Sequence, residues 1–189
     1  MNTLVDELNK KVLNEVEIEK KSLKEATKKS CAGKISHKKT VIDGITFDSM
    51  LESEYYLYLK ALKKYKLIKD FSLQPEFILQ DKFIIVNNEV VNGNDERFNK
   101  LKRQTKAETI RAIKYRGDFL ITDLNDTQRV VDTKGFSTKE FEIKRKMFMC
   151  KYPGIKLEVL IKRKAGWIDY YENQKNIKNK KKAKKAQSV

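Results

Sequence analysis

Two aspartates and a lysine occupy the β-forming stretch at residues 115–135. Asp118 precedes one apolar run, and Asp132 and Lys134 end the next. Because side chains alternate along a strand, Asp132 and Lys134 are expected on the same side, roughly 6.6–7 Å apart along the strand. The connection at 123–128 would fold the two runs into an antiparallel pair and bring Asp118 opposite Asp132. Carboxylate oxygens in this arrangement suit Mg²⁺ or Mn²⁺ better than zinc.

These residue types could hydrolyse a phosphodiester. Hydrolysis needs an activated water, neutralised charge on the phosphate and help for the leaving oxygen. A hard cation held by Asp118 and Asp132 supplies the first two, and Lys134 can orient the water or stabilise the pentacovalent phosphorus. The backbone carbonyl of Thr133 lies at the same edge and is a further candidate ligand. The same charged side chains could also form a stable ion-paired cluster without metal, so that alternative stays open.

A helix is predicted at 48–65, upstream of these strands. Ser49 can cap it, Glu52 stands three residues on as in a capping box, and apolar residues recur at helical spacing. A glutamate at this position has a structural role in the cap, which does not exclude a chemical one. Asp123 and Asp126 belong to the predicted hairpin turn, where local backbone bonding explains them.

Gly117-Asp118 and Asp132-Thr133-Lys134 together resemble the two motif elements of the PD-(D/E)xK nuclease superfamily. Glycine stands where the family name has proline, and the second acid is aspartate. The upstream acid matches Glu52, and Gln74-Pro75 precedes the strands as in transposase-associated endonucleases of this superfamily. The region 41–161 also resembles a family of uncharacterised phage and prophage proteins placed in it.

This resemblance implies a restriction-endonuclease-like α/β (α+β) fold and Mg²⁺-dependent cleavage of DNA, with Mn²⁺ as a substitute. It implies that Gln74 bonds near the metal or the phosphate, although the glutamine could instead satisfy strand-edge backbone. The implied catalytic residues are Glu52, Gln74, Asp118, Asp132 and Lys134. The implied metal ligands are Asp118, Asp132, the Thr133 carbonyl and Glu52 through water.

The resemblance also bears on substrate and partners. Relatives that include phage junction-resolving enzymes act on branched DNA as dimers, so a homodimer, a branched substrate and a phage role in recombination, replication or DNA processing are expected. Protein partners from recombination or replication, and an endonuclease active only in a larger complex, stay open. From another class, a non-catalytic DNA-binding accessory protein would use the acids and Lys134 as a structural ion-pair cluster.

The charge of the chain favours a polyanionic partner. Forty-two Lys and Arg stand against 26 Asp and Glu, giving a net charge of +16 and a pI of about 9.7. A merely soluble, lysine-rich protein is the alternative explanation. The candidate DNA-binding residues are Lys100, Lys102, Arg103, Lys106, Arg111, Lys114, Arg116, Lys144, Lys162, Arg163 and Lys164. Such contacts give affinity that falls with salt and carries little base information.

Other classes of protein are disfavoured. Cys31 and Cys150 are too few and too far apart for a disulfide framework or a metal cluster. No apolar run suggests a membrane span or a signal peptide, so the chain is expected in the cytoplasm, with no membrane partner and both thiols free. The resemblance to phage and prophage proteins implies that this is the cytoplasm of a bacterial host.

The order of predicted elements argues for a mixed sheet flanked by helices. An amphipathic helix at 1–30 is expected to pack on the domain or to pair with another copy, followed by a nuclease domain at 31–171 with β runs at 82–91 and 109–121. Within that domain, 92–108 is predicted to be a mobile basic loop that could include one helical turn. A helix at 137–151 is expected to be capped by Ser137 and Glu140, and the Lys-rich tail at 172–189 to be disordered when unbound.

Overall fold

The computed structural model describes residues 7, 10–19, 21, 40–104, 107–163 and 166–186, with side chains described at all of these except 104 and 181–186. The helices are α1 (10–19), α2 (Met50–Lys64), α3 (Phe98–Gln104), α4 (Lys139–Lys151) and α5 (Tyr170–Ala186). The strands are β1 (Thr40–Ile42), β2 (Ile45–Phe47), β3 (Asp70–Leu73), β4 (Glu76–Gln80), β5 (Phe83–Val86), β6 (Glu89–Asn92), β7 (Glu108–Ile110), β8 (Ile113–Arg116), β9 (Phe119–Thr122), β10 (Gln128–Thr133), β11 (Lys156–Arg163) and β12 (Gly166–Asp169).

A five-stranded sheet in the order β12-β11-β10-β9-β3 forms the centre of the fold. Strands β10 and β11 are parallel, and their other neighbours in the sheet are antiparallel. Helix α4 connects the parallel pair, as parallel strands need a long crossover. The fold is therefore the mixed sheet flanked by helices that the element order predicts.

The two faces of this sheet bury different residues. Val131 and Phe119 pack in one apolar cluster with residues of α1 and α2. Val130, one position along β10, packs in a second cluster with Phe141 and Phe148 of α4. The alternation of a strand thus divides β10 between two layers, with both faces covered by helices.

Helix α1 packs on the domain. Val12 is fully buried and Val16 is 6% exposed, and both belong to the cluster that includes α2. Packing was one of the two outcomes expected for this amphipathic segment, and it is confirmed. A contact between Lys64 and Glu15 adds an ion pair at the edge of this interface.

The segment at 92–108 differs from the predicted mobile loop. Its middle part, Phe98–Gln104, is helix α3; the segment begins at the end of β6 and finishes at the start of β7, and residues 105 and 106 lie outside the described chain. Phe98 is 3% exposed and packs with Ile84 and Val91, while Leu101 adds to the same cluster. The spacing of Phe98 and Leu101 supplies one apolar helix face, and that face explains why the segment is structured.

The β runs predicted at 82–91 and 109–121 are also divided. Strands β5 and β6 form a hairpin around Asn87 and Asn88, whose φ angles are 48° and 65°. Consecutive left-handed residues are typical of a tight hairpin turn, and asparagine tolerates them. The second run contains β7, β8 and the start of β9: β7 pairs with β5, β8 with β4, and β9 with both β10 and β3.

The Lys-rich C-terminal segment differs from the prediction in its secondary structure. Helix α5 covers Tyr170–Ala186, and its first turn is capped by a hydrogen bond from Glu172 N to Asp169 Oδ1 (2.8 Å). Lysine, glutamine and alanine favour a helix once a packed first turn provides the nucleus. Residues 178–180 are exposed, in agreement with the expectation that this part buries no core.

Two smaller expectations can also be compared. Helix α4 is capped by Thr138, which accepts a hydrogen bond from Phe141 N (3.2 Å), and Ser137 bonds to Glu142 instead of capping. Cys150 is free and exposed, as expected, while Cys31 lies outside the described residues. Across the described part of the chain, no helix is both long and apolar enough to cross a membrane.

Candidate active site

Asp132 is a buried carboxylate at the end of β10. Its residue is 1% exposed, and its Oδ2 accepts a hydrogen bond from the Tyr115 hydroxyl at 2.9 Å. Its Oδ1 lies 2.6 Å from Lys134 Nζ, an ion-pair distance, but accepts no hydrogen bond. The Lys134 ammonium thus compensates the charge of this oxygen, and a carboxylate oxygen has further lone-pair positions with which it could also contact a metal ion.

Asp118 stands directly before β9, beside the end of β10. Its N–H donates to the carbonyl of Val131 (3.1 Å), which continues the β9–β10 ladder to this point. Its Oδ2 accepts two hydrogen bonds from Thr133, one from the backbone N–H (2.6 Å) and one from Oγ1 (2.8 Å). The antiparallel pairing predicted from the sequence is therefore confirmed, and Thr133 acts here through its N–H and hydroxyl.

Gly117 permits this close approach of the strands. A Cβ added at Gly117 would lie 2.6 Å from Cγ1 of Val130, which is fully buried and cannot move aside easily. The Gly117 N–H also donates to the carbonyl of Pro75 (3.1 Å). Thus a residue without a side chain is required next to Asp118.

Glu52 approaches from the first turn of α2. Ser49 caps the helix by accepting a hydrogen bond from Glu52 N (3.1 Å), as the sequence predicts. The carboxyl group is half-buried. Burial raises the pKa of Glu52, the charges of Asp48 and Asp132 add to this effect, and hydrogen bonding with Ser49 opposes it.

The three acids interact electrostatically. Burial raises the pKa of Asp118 to about 7, with further contributions from the charges of Asp132 and Glu52 that outweigh its hydrogen bonds from Thr133. Carboxylates that raise each other's pKa repel one another in a poorly solvated environment. Their proximity is therefore maintained by the fold, against an electrostatic cost that a bound cation would remove.

Gln74 lies at the corner between β3 and β4. Its φ angle is 49°, a left-handed conformation that is strained before a proline, and its N–H donates to the carbonyl of Asp118 (2.9 Å). The Gln74 N–H thus satisfies a carbonyl at the strand edge, which agrees with one of the two roles expected for this residue. A pocket at this corner brings three of the predicted residues together: Glu52, Gln74 and Asp118, with Ile45, Thr46, Phe47, Leu73 and Phe119.

Lys134 supplies the positively charged side chain at this site. Its Nζ lies 4.5 Å from the centroid of the Phe141 ring, in addition to its contact with Asp132. The side chain is 28% exposed, so it is only partly withdrawn from solvent. Asp132 and Lys134 lie on the same side of β10, as the strand alternation predicts.

Two carboxylates and a lysine fall short of a complete protein-derived metal centre. Among the residues that the structure describes, no group of three or more His, Cys, Asp or Glu side chains has the arrangement of a metal site. Any cation here would depend on Asp118 and Asp132, with backbone oxygens and water completing its ligands.

The predicted DNA-binding residues have varied surroundings. Lys114 pairs with Glu76 (2.6 Å), Arg116 with Asp48 (3.6 Å) and Lys144 with Glu140 (2.8 Å), and Lys162 pairs with Glu54. The exposed members of the set are Lys100, Lys102, Arg103, Arg111, Lys114, Arg116 and Arg163. Lys106 and Lys164 lie outside the described residues.

Two features of the site were not predicted. Tyr115, which is 2% exposed, donates to Asp132, and nothing in the sequence distinguishes it from the other tyrosines. Glu142 accepts hydrogen bonds from the hydroxyls of Ser137 and Tyr171, both at 2.6 Å. That network connects α4 and α5 to the loop that follows Lys134.

Comparison with known protein families finds a match, which covers most of the described domain. Residues 32–166 match the family described as "Protein of unknown function (DUF1064)". Since the match covers most of the chain, the protein belongs to this family. No curated protein and no solved structure matches the chain.

Proposed function

We propose that this protein is a metal-dependent DNA endonuclease that hydrolyses phosphodiester bonds. The observation that carries the proposal is the crowding of Glu52, Asp118 and Asp132 beside Lys134, with the pKa of Asp118 raised to about 7 by burial and by the other two charges. The resemblance of these residues to the PD-(D/E)xK nuclease superfamily agrees with it. A phage role in recombination, replication or DNA processing follows from the same resemblance.

The residues fit a hard divalent cation. The buried Oδ1 of Asp132 is held only by its ion pair with Lys134 among the contacts of the described residues, and the acidic side chains here offer oxygen ligands, which Mg²⁺ and Mn²⁺ prefer. Asp118 and Asp132 would hold the ion, which when bound would neutralise charge on the phosphate and favour deprotonation of water.

The protein's own groups would perform the remaining tasks. Lys134 Nζ can transfer its contact from Asp132 to a phosphate oxygen, where its charge opposes the negative charge that develops on phosphorus. Thr133 keeps Asp118 in place through two hydrogen bonds, and Tyr115 does the same for Asp132. Glu52, whose pKa is raised by burial, is the candidate group for exchanging a proton with water.

The net charge of +16 supports binding to the phosphate backbone. Lys100, Lys102 and Arg103 are exposed on one short helix, α3, which is attached to the domain by its own small core. Contacts of this kind would hold DNA without reading its sequence. A homodimer on branched DNA is a further part of the proposal, and an endonuclease active only in a larger complex is its alternative within the same class.

A non-catalytic DNA-binding protein is the second candidate. The ion pair of Lys134 with Asp132 at 2.6 Å, together with the Phe141 ring at 4.5 Å, favours it because these contacts could stabilise the fold without a cation. This candidate predicts DNA binding without cleavage under all metal conditions.

Cleavage of supercoiled plasmid and of a synthetic four-way junction separates the two candidates. The purified protein is incubated with each substrate in Mg²⁺, in Mn²⁺ and in EDTA, beside Lys134→Ala. Lys156→Ala is the matched control: Lys156 is also an ion-paired lysine, but it lies where β11 begins, at the opposite end of the sheet.

The endonuclease proposal expects cutting in Mg²⁺ or Mn²⁺, none in EDTA, and loss of cutting in Lys134→Ala but not in Lys156→Ala. Salt-sensitive binding with no cutting of either substrate would instead support the accessory protein. Equal cutting by both lysine variants would show that the site is wrongly assigned.

A further inference from the structure

One large apolar side chain beside the proposed active site is not used by the core. Phe136 is 74% exposed, whereas Phe141 is 7% exposed and Phe148 is fully buried. Phe136 follows Lys134 by two residues in the loop between β10 and α4. Single exposed apolar side chains are common on protein surfaces, but this ring stands beside the proposed site, where it is available to a ligand.

The backbone on both sides of Phe136 is fixed. Lys134 N donates to the carbonyl of Leu160 (2.8 Å), which anchors the start of the loop to β11. Ser137 N donates to the Tyr170 hydroxyl (3.2 Å), which anchors its end to α5. The ring is therefore presented to solvent by a short segment that is held at both ends, so little conformational freedom would be lost when it binds.

The loop also lies against the helix that carries Glu52. A Cβ added at Gly135 would lie 3.9 Å from Cδ1 of Leu51, the residue next to Glu52 in α2. Phe136 thus stands at the rim of the site, between the end of β10 and the first turn of α2. A nucleotide whose phosphate contacted Lys134 would have its base near this ring, because Phe136 lies only two residues beyond Lys134.

We propose that Phe136 stacks on an unpaired base of the DNA and so directs the site to DNA with unstacked bases. This inference rests on the proposed function, because it takes the phosphate at the site to be that of DNA. Aromatic side chains stack on any exposed base, with little dependence on sequence, while bases inside an intact duplex are already stacked. The strongly basic charge of the chain makes a nucleic acid a better occupant than a second copy of this protein.

The test compares binding to two DNA probes in EDTA, so that it does not depend on cleavage. One is a short, fully paired duplex, and the other is the same duplex with an unpaired bulge that carries 2-aminopurine. The variants are Phe136→Ala and Phe136→Trp. Leu124→Ala is the matched control, because Leu124 is also exposed (62%) but lies in the β9–β10 turn, at the other end of the sheet.

Wild type is expected to bind the bulged probe more tightly and to change the 2-aminopurine fluorescence. Phe136→Ala should reduce affinity for the bulged probe by about tenfold and abolish the fluorescence change, with little effect on the paired duplex. Phe136→Trp should retain the preference, and Leu124→Ala should behave as wild type.

Equal loss of affinity for both probes, or no loss for either, would overturn the inference. A change from dimer to monomer in Phe136→Ala, seen by sedimentation, would also overturn it and assign the ring to an interface between copies. Cleavage in Mg²⁺ is read separately. Metal-dependent cutting without a bulge preference would reject only the stacking role, and a bulge preference without cutting would reject only the endonuclease.

Discussion

The two ends of strand β10 carry charged clusters of opposite character. At its C-terminal end, Asp132 is buried and forms an ion pair with Lys134. At its N-terminal end, Arg129 contacts both Asp123 (3.1 Å) and Glu158 (2.8 Å), and Lys156 also pairs with Glu158 (2.7 Å). Acidic side chains outnumber basic ones at the C-terminal end of β10, whereas acidic and basic side chains are equal in number at its N-terminal end.

The pKa directions separate the two clusters in the same way. Burial would raise the pKa of Glu158, but hydrogen bonds and charges from Lys156 and Arg129 outweigh it, so the pKa is lowered. At the other end, burial and neighbouring acids raise the pKa of both Asp118 and Glu52. A cluster that stabilises its own charges is typical of structure, whereas one that destabilises them is typical of a site that binds or transforms something.

The largest effect is expected from Asp132→Asn. If Asp132 holds the cation, its loss should lower the cleavage rate by about a hundred- to a thousandfold. DNA binding should persist or become tighter, because a negative charge is removed. Single-turnover cleavage and a binding titration measure the two quantities. Cleavage at the wild-type rate would remove Asp132 from the site.

Gly117→Ala should disturb both the fold and the site. The new Cβ would lie 2.6 Å from Cγ1 of Val130, and the required shift should cost about 1–3 kcal/mol of unfolding free energy. Cleavage should fall with it because Asp118 is the next residue. Gly154→Ala is the control, since a Cβ there would have no atom within 4 Å. Equal stability of the two variants in urea unfolding would contradict the close packing at Gly117.

Glu52→Gln should have an intermediate effect on activity. The helix cap depends on the Glu52 backbone N–H, so α2 should persist and Tm should change little. A carboxyl group that supports a metal site from its outer shell contributes about ten- to a hundredfold. Cleavage rates with saturating Mg²⁺ measure this. A large fall in Tm with proportional loss of activity would instead assign Glu52 to the cap alone.

The smallest effects should differ in sign between the two ends. Asp118→Asn should raise stability by about 1 kcal/mol at neutral pH, because it removes a charge that the folded state disfavours while an amide oxygen can still accept from Thr133. Glu158→Gln should lower stability by about 1 kcal/mol, because Arg129 and Lys156 lose a charged partner. Urea unfolding of both variants checks the comparison, and the same sign for both would contradict it.

The pH dependence of the wild-type protein's stability should reflect the raised pKa of Asp118. With a folded pKa near 7 against an ordinary value of 3.8, the folded state binds more protons than the unfolded chain between these values. The contribution of Asp118 to the free energy of unfolding therefore falls as the pH rises through this interval. Urea midpoints measured across the interval should show this decrease in wild type and a smaller one in Asp118→Asn. An equal decrease in both proteins would contradict the assignment to Asp118.

Much of this arrangement could be predicted from the sequence. Strand alternation predicted that Asp132 and Lys134 share a side, and the short connection after β9 predicted its antiparallel pairing with β10. Both depend on local rules that tertiary structure did not override. The cap of α2 by Ser49 was predicted for the same reason.

The rest depended on contacts between distant parts of the chain. Tyr115 becomes part of the site because its hydroxyl, carried by β8, reaches Asp132 at the end of β10 (2.9 Å), a relation that no local pattern indicates. The sequence pattern predicts a loop at α3 because its polar residues outnumber Phe98 and Leu101, whose burial needs β5 and β6. The Asn87-Asn88 turn, by contrast, is a local signal that could have divided the run at 82–91.

Titration with Mn²⁺, followed by its EPR signal, tests the central claim most directly. Wild type, Asp132→Asn and Glu158→Gln are compared, with and without DNA, and circular dichroism verifies that each is folded. The account predicts that wild type and Glu158→Gln bind the ion and that Asp132→Asn loses this binding. Equal binding by all three proteins, or binding lost only in Glu158→Gln, would contradict a metal site at the Asp118 end of the sheet.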